Sequence, residues 1–340
     1  MSENWSLIKV AGFACCRTED KELRLRTYLD SVLLSAYTVV DERRSIMTSL
    51  KHLLQNDVVP MRVRTEAIAL VALGVRPMSI VFLPAELPEG NLLGREIDST
   101  YQCWLQEGSS GTLSQRYFFW LQSRGKTTIE HKKSLLRKAY ENIVPPQASY
   151  KALLGIVQEL SLPYIQYEVR PSIRELYICA SDAVKERLDQ LMQERETIKR
   201  EAWAKVTSST PYSLLAYPEE QVPEYLKKLG ELLGYPPCCI EAYLTDRTQG
   251  QNVENRSAYF LLEFEQMNEA VNPLGFFLKD FFPCRPNCEQ ALSKGQECYD
   301  RLGEVDKNYA EAYLQSVNEN KNRVTKYPAI ISAHLDSLNK

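Results

Sequence analysis

Long apolar runs are missing from this sequence. No window of about 18 apolar residues exists, so no membrane-spanning helix and no membrane partner are expected. The opening residues, MSENWSLIKV, have no basic segment leading into an apolar stretch with a small-residue cleavage site, which points to a cytoplasmic protein. An excess of one charge is missing too. With 41 basic against 44 acidic residues and a net charge of -3, nothing pulls the chain toward nucleic acid or anionic lipid, and no nucleic-acid partner is expected. Histidine is scarce. His52, His131 and His334 have no partners at metal-binding spacing, so each is expected on a surface or helix face and histidine-based hydrolysis is disfavoured. Phosphate-cradling loops are absent as well: GSSGT at 108–112 lacks the G-K-[ST] ending, and EGNLLG at 89–94 lacks a strand-to-helix fingerprint.

What is present suggests more than one packed unit, because 340 residues exceed the roughly 100–200 typical of one folded unit. A chain of this size buries enough surface to be stable without disulfides or a metal, so a metal site here is expected to carry chemistry. Residues 21–56 repeat apolar positions at helical spacing. After Pro60 the pattern shifts: Gly74 can close a short helix, and Ile80 to Leu83 reads as a buried strand. RYFFWLQS at 116–123 reads as a further strand, followed by a helix through Tyr140. VPPQAS at 144–149 marks a boundary. Beyond it a helix, the strands YIQYEVR and ELYICAS, and a helix from about Asp182 to Trp203 make an α-β-β-α unit. The last helix holds five basic and five acidic residues between 185 and 201, which reads as a solvated face laced with ion pairs. Residues 207–220 read as a connector, and from Gln221 the chain is short helices punctuated by proline and glycine. The expected fold is an α/β (α+β) N-terminal and middle region with a mixed sheet, followed by a mainly helical, cysteine-rich C-terminal domain. The expected parts are 1–145, 150–205 and 221–340.

Nine cysteines, an odd count without a secretory leader, argue for reduced thiols, metal ligands or catalytic thiols over a disulfide framework. Four of them cluster. The helix over 222–233 ends at Gly234, expected in a left-handed cap, and Pro236 and Pro237 preset the first turn of a new helix holding Cys238 and Cys239. There, free backbone N–H groups and the helix dipole favour thiolate. After 44 intervening residues come Cys284 and Cys288, separated by three, with Asn287 expected to cap a helix; Cys298 is a possible fifth member. Structural zinc usually takes two C-x2–4-C hooks. Only the second pair fits, and adjacent residues project about 100° apart on a helix, awkward for one ion. This spacing leans toward an iron–sulfur cluster, such as 4Fe-4S, on Cys238, Cys239, Cys284 and Cys288, with zinc or metal-free thiol chemistry as alternatives.

LLGYPPCCIEAY at 232–243 and FFPCRPNC at 281–288 resemble an uncharacterised domain-of-unknown-function family of archaea and some bacteria, similar over about residues 221–302. The resemblance implies that the four cysteines share one site and supplies no substrate. Glu241, three residues after Cys238 on the same helix face, and Arg285 are candidate catalytic groups; Arg247 and Glu289 are polar neighbours, and ordinary surface charge is the alternative for all four. Cys103 and Cys179 read as core residues. Cys15 and Cys16 read as an apolar strand end or an extra redox pair. Three functions follow: an oxidoreductase-like redox or sulfur-chemistry enzyme acting on a small molecule or peptide with an electron-donor protein, a zinc-stabilised interaction module, or a metal-free thiol enzyme.

Overall fold

The structure is a computed structural model describing residues 46–124, 128–206, 217–329 and 333. Cys15, Cys16, His334, most of the expected opening helix and most of the connector lie outside these residues. The chain divides into Met1–Thr48 and a compact unit, Ser49–Lys340. In the latter the elements are β1 (Met78–Leu83), α1 (Gly90–Ser110), α2 (Leu113–Ser123), α3 (Thr128–Ile143), α4 (Ala148–Glu159), β2 (Tyr164–Arg170), β3 (Ile173–Cys179), α5 (Asp182–Ala204), α6 (Pro223–Leu232), α7 (Pro237–Thr248), α8 (Val253–Gln266), α9 (Glu289–Val305) and α10 (Lys307–Val324). The fold is the expected α+β arrangement with a mainly helical cysteine-rich C-terminal region. Its sheet is small and antiparallel instead of mixed.

The sheet order is β1-β3-β2, with β3 central. β1 pairs from Met78↔Cys179 to Leu83↔Arg174, so the sheet crosses the boundary expected at 144–149. β3 is buried along almost its whole length, as a central strand covered on both faces must be. On one face, Met78, Tyr177 and Cys179 pack with Leu188, Leu191 and Met192 of α5 and with Tyr225, Leu232 and Leu233. Each fully buried Leu of this kind contributes about 1.5–3 kcal/mol.

Four local expectations are corrected. RYFFWLQS is helical, in α2, because Thr112 and Gln115 form a capping box that starts a helix where aromatic content alone suggested a strand. No residue of α2 is buried, and Tyr117 stacks on Trp120 one turn away, at 6.0 Å between centroids. His131 is buried, its ring meeting the edge of Phe119 at 4.6 Å, while Cys103 is exposed. The charged run 185–201 does carry the surface pair Lys185–Asp189, but Arg195 within it is 4% exposed.

The C-terminal helices are tied back to the early chain. Tyr309 donates to the Leu50 carbonyl at 2.6 Å and Tyr313 to that of Phe277 at 2.9 Å. The buried Glu66 carboxylate accepts from the Lys279 N–H at 2.7 Å and from Ser316, and burial raises its pKa. α9 passes so close to the turn Pro273–Phe276 that a Cβ on Gly295 would stand 2.0 Å from the Leu274 carbonyl oxygen.

Candidate metal centre

The site begins at the end of α6. Gly234 takes φ +76°, and the N–H groups of Gly234 and Tyr235 return to the carbonyls of Glu231 and Gly230 at 3.1 and 3.0 Å. This is the paired closure that a left-handed glycine permits. Pro236 caps α7 in extended conformation and Pro237 occupies its first position, so Cys238 and Cys239 fall in the first turn as the sequence indicated. From the other side comes 281–288, ending at Cys288, the N-cap of α9. Asn287 does not cap that helix. Its side chain accepts from the Asn272 N–H at 3.2 Å and donates to the Ala270 carbonyl at 3.0 Å, fixing the approach to α9.

These two corners bring four sulfurs together. The Sγ atoms of Cys238, Cys239, Cys284 and Cys288 all lie within 4.8 Å of one another. Cys238 is 3.8 Å from Cys239 and 3.5 Å from Cys288, and Cys239 is 3.8 Å from Cys288. The adjacent pair, expected to diverge around the helix, converges. Side chains of a first turn tilt toward the helix N-terminus, which offsets their angular separation beyond its end. All seven described cysteines are free. Cys179 is buried in β3 as expected, and Cys298 is outside the tetrad, buried beside Tyr313 and Arg76, where burial pushes its thiol up to about 11.

The protein prepares this centre for charge unevenly. Burial pushes the Cys284 thiol up to about 11 and the Cys239 thiol higher still. Burial also opposes ionisation of Cys288, but hydrogen bonds from the Ala291 N–H and from the neighbouring thiols outweigh it and hold that group below its ordinary value. The Cys284 N–H points at Cys239 Sγ from 3.4 Å, and two helix N-termini face the cluster. Without a cation, four thiolates this close repel one another; with one, each is answered. The tetrad can therefore hold a metal.

Around it, Arg256 of α8 donates to the Cys284 carbonyl at 2.9 Å. Its Nε sits 2.6 Å from Asp246 Oδ2, an ion pair by proximity at an angle poor for hydrogen bonding. Arg256 lies between the two motifs, at a position no spacing rule marks, and the sequence pattern missed it. Glu241 is 65% exposed and 3.7 Å from Lys227, Arg285 and Glu289 are exposed, and Arg247 pairs with Glu220. Among the described residues, no helix is long and apolar enough to cross a membrane.

An uncharacterized protein of Methanocaldococcus jannaschii is 30% identical over 94 residues, which are 25% of this chain and 48% of the relative. The chain thus spans about half the length of the curated relative it matches. No solved structure matches. Residues 165–311 match the model of a family described as "Protein of unknown function (DUF483)". The expected resemblance to an uncharacterised domain-of-unknown-function family is thus matched over residues 165–311, a span that includes all four clustered cysteines.

Proposed function

We propose that Cys238, Cys239, Cys284 and Cys288 hold a single tetrahedral metal ion, zinc, and that the C-terminal helical region is a metal-stapled binding module. The observation carrying this reading is the sulfur spacing. The edge of a tetrahedron is about 1.63 times its centre-to-corner distance, so zinc–sulfur bonds of about 2.3 Å require sulfurs about 3.8 Å apart. The three close separations here are 3.5, 3.8 and 3.8 Å. A multinuclear iron–sulfur cluster sits between its thiolates and gives each a different iron, which spreads them farther apart than one ion does. Four protein thiolates also leave no open coordination position, the mark of a structural site. Glu241 and Arg285, both exposed, then act as surface charges, and the metal clamps the starts of α7 and α9.

Elemental analysis and a visible spectrum of anaerobically purified protein test this reading. One zinc per chain in colourless protein is expected, with cobalt replacing it to give the absorption of a tetrahedral thiolate site. Brown protein with several irons and acid-labile sulfide would return the site to the cluster reading. One iron without sulfide would make it a mononuclear redox centre.

A further inference from the structure

A second polar assembly lies between the sheet and the helices leading to the metal centre. A cavity of about 510 Å³ is walled by Tyr177 of β3, Tyr217, Glu219, Tyr225 of α6, Tyr243 of α7 and Arg195 of α5. That volume is ample for a small organic ligand, since such sites run to about 300–1,000 Å³. Glu219 is 2% exposed. Its Oε1 accepts from Arg195 Nε at 2.7 Å, but Oε2 is buried with no hydrogen-bond partner. Leaving a buried carboxylate oxygen unanswered costs on the order of 1–3 kcal/mol or more, which a ligand can recover.

We propose that this cavity binds a small organic cation, a primary ammonium compound, with Glu219 Oε2 as its acceptor and the tyrosine rings as its walls. The wall charges favour a cation. Glu175, Glu219 and Glu220 face it against one lining guanidinium, Arg195. The charge of that guanidinium is already answered by two carboxylates, with Nε donating to Glu219 and Nη1 to Glu175 at 2.6 Å and to Tyr177 Oη at 3.3 Å. Arg247 is committed to Glu220, and Lys199 donates to Tyr167 Oη at 2.9 Å. The rings of this region already draw cations: Arg170 lies over Tyr217 at 5.2 Å, and Arg195 and Lys199 lie over Tyr167 at 4.7 and 4.8 Å. A protonated amine would find a carboxylate oxygen and aromatic faces in one partly apolar enclosure. This site is independent of which metal the cysteines hold.

Calorimetric titration of the full chain with benzylamine, benzyl alcohol and benzoate separates charge from shape. Benzylamine should bind at least tenfold more tightly than either companion, and Glu219→Gln, which keeps the shape and the acceptor for Arg195, should erase that preference. Leu229→Trp, which fills the cavity from α6, should abolish binding while circular dichroism stays unchanged; it provides the same test if Glu219→Gln does not fold. Absence of benzylamine binding, equal binding of benzyl alcohol or benzoate, or unchanged binding in folded Glu219→Gln or Leu229→Trp would each overturn the proposal.

Discussion

The cysteine tetrad and the Arg195 cluster are both buried polar assemblies, but they are built differently. The tetrad draws on two short stretches, 238–239 and 284–288, each positioned by a proline turn or a helix start. The Arg195 cluster gathers Glu175 from β3, Arg195 from α5 and Glu219 from the turn Pro218–Gln221, three points with no common motif. The first can hold a cation once its thiols lose their protons. The second brings its own guanidinium and leaves a single carboxylate oxygen unanswered. A metal can therefore act on one region without being needed for the other, and experiments can separate them.

The largest effect is expected from the ligands themselves. Serine at any one of Cys238, Cys239, Cys284 or Cys288 should remove stoichiometric metal and loosen the helical region around it, read by elemental analysis and by hydrogen exchange in α7 and α9. Structural zinc sites contribute roughly 10 kcal/mol or more in small domains, so even a fraction of that is large here. Acid should act in the same direction. Cys284, pushed up to about 11, is protonated in the metal-free protein at neutral pH and must lose that proton on binding, so metal affinity should rise with pH and fall on acidification, measurable by competition with a chelator. Exchange protection in β3 should survive metal loss if the two regions are separable.

Next comes the reverse experiment. Arg195→Met leaves Glu175 and Glu219 buried without their cation, and breaking such a pair costs about 3–5 kcal/mol. Denaturant unfolding should show that loss while metal content stays at one per chain. A smaller effect is expected for Arg256→Met, which removes the donor to the Cys284 carbonyl. Loss of such outer contacts usually lowers metal affinity about 10- to 100-fold without emptying the site at saturation. Smallest of all is Cys103→Ser. Exposed on α1, it should leave metal content unchanged and shift stability by less than about 0.5 kcal/mol.

The same contrast governs what the sequence made legible. Cysteine is rare enough that four in two tight groups stand out, and Gly234 with Pro236 and Pro237 announced the turn that presents two of them. The inference failed at the level of angles: adjacent thiols were expected to diverge, and the tilt of first-turn side chains brings them together. Arg195 was hidden for the opposite reason. In a helix with alternating charges every residue resembles a solvated one, and only the pairing of β3 beneath α5 buries this one. The α2 helix misled through composition, since its aromatic run favours strands while the capping signal at Thr112 and Gln115 decided the conformation. Residues remote in sequence, such as Glu66 and Ser316, leave no local trace of their meeting.

The pairing of β1 with β3 bears on where the chain can be cut. A fragment trimmed to the family-matching span 165–311 would lack Met78–Leu83, uncovering one hydrogen-bonding edge of the central strand along six residue pairs. It would also stop inside α10, before Tyr313 reaches the Phe277 carbonyl. Such a fragment should aggregate through the bared strand. Pieces meant for expression should begin upstream of Val63 and continue past Val324.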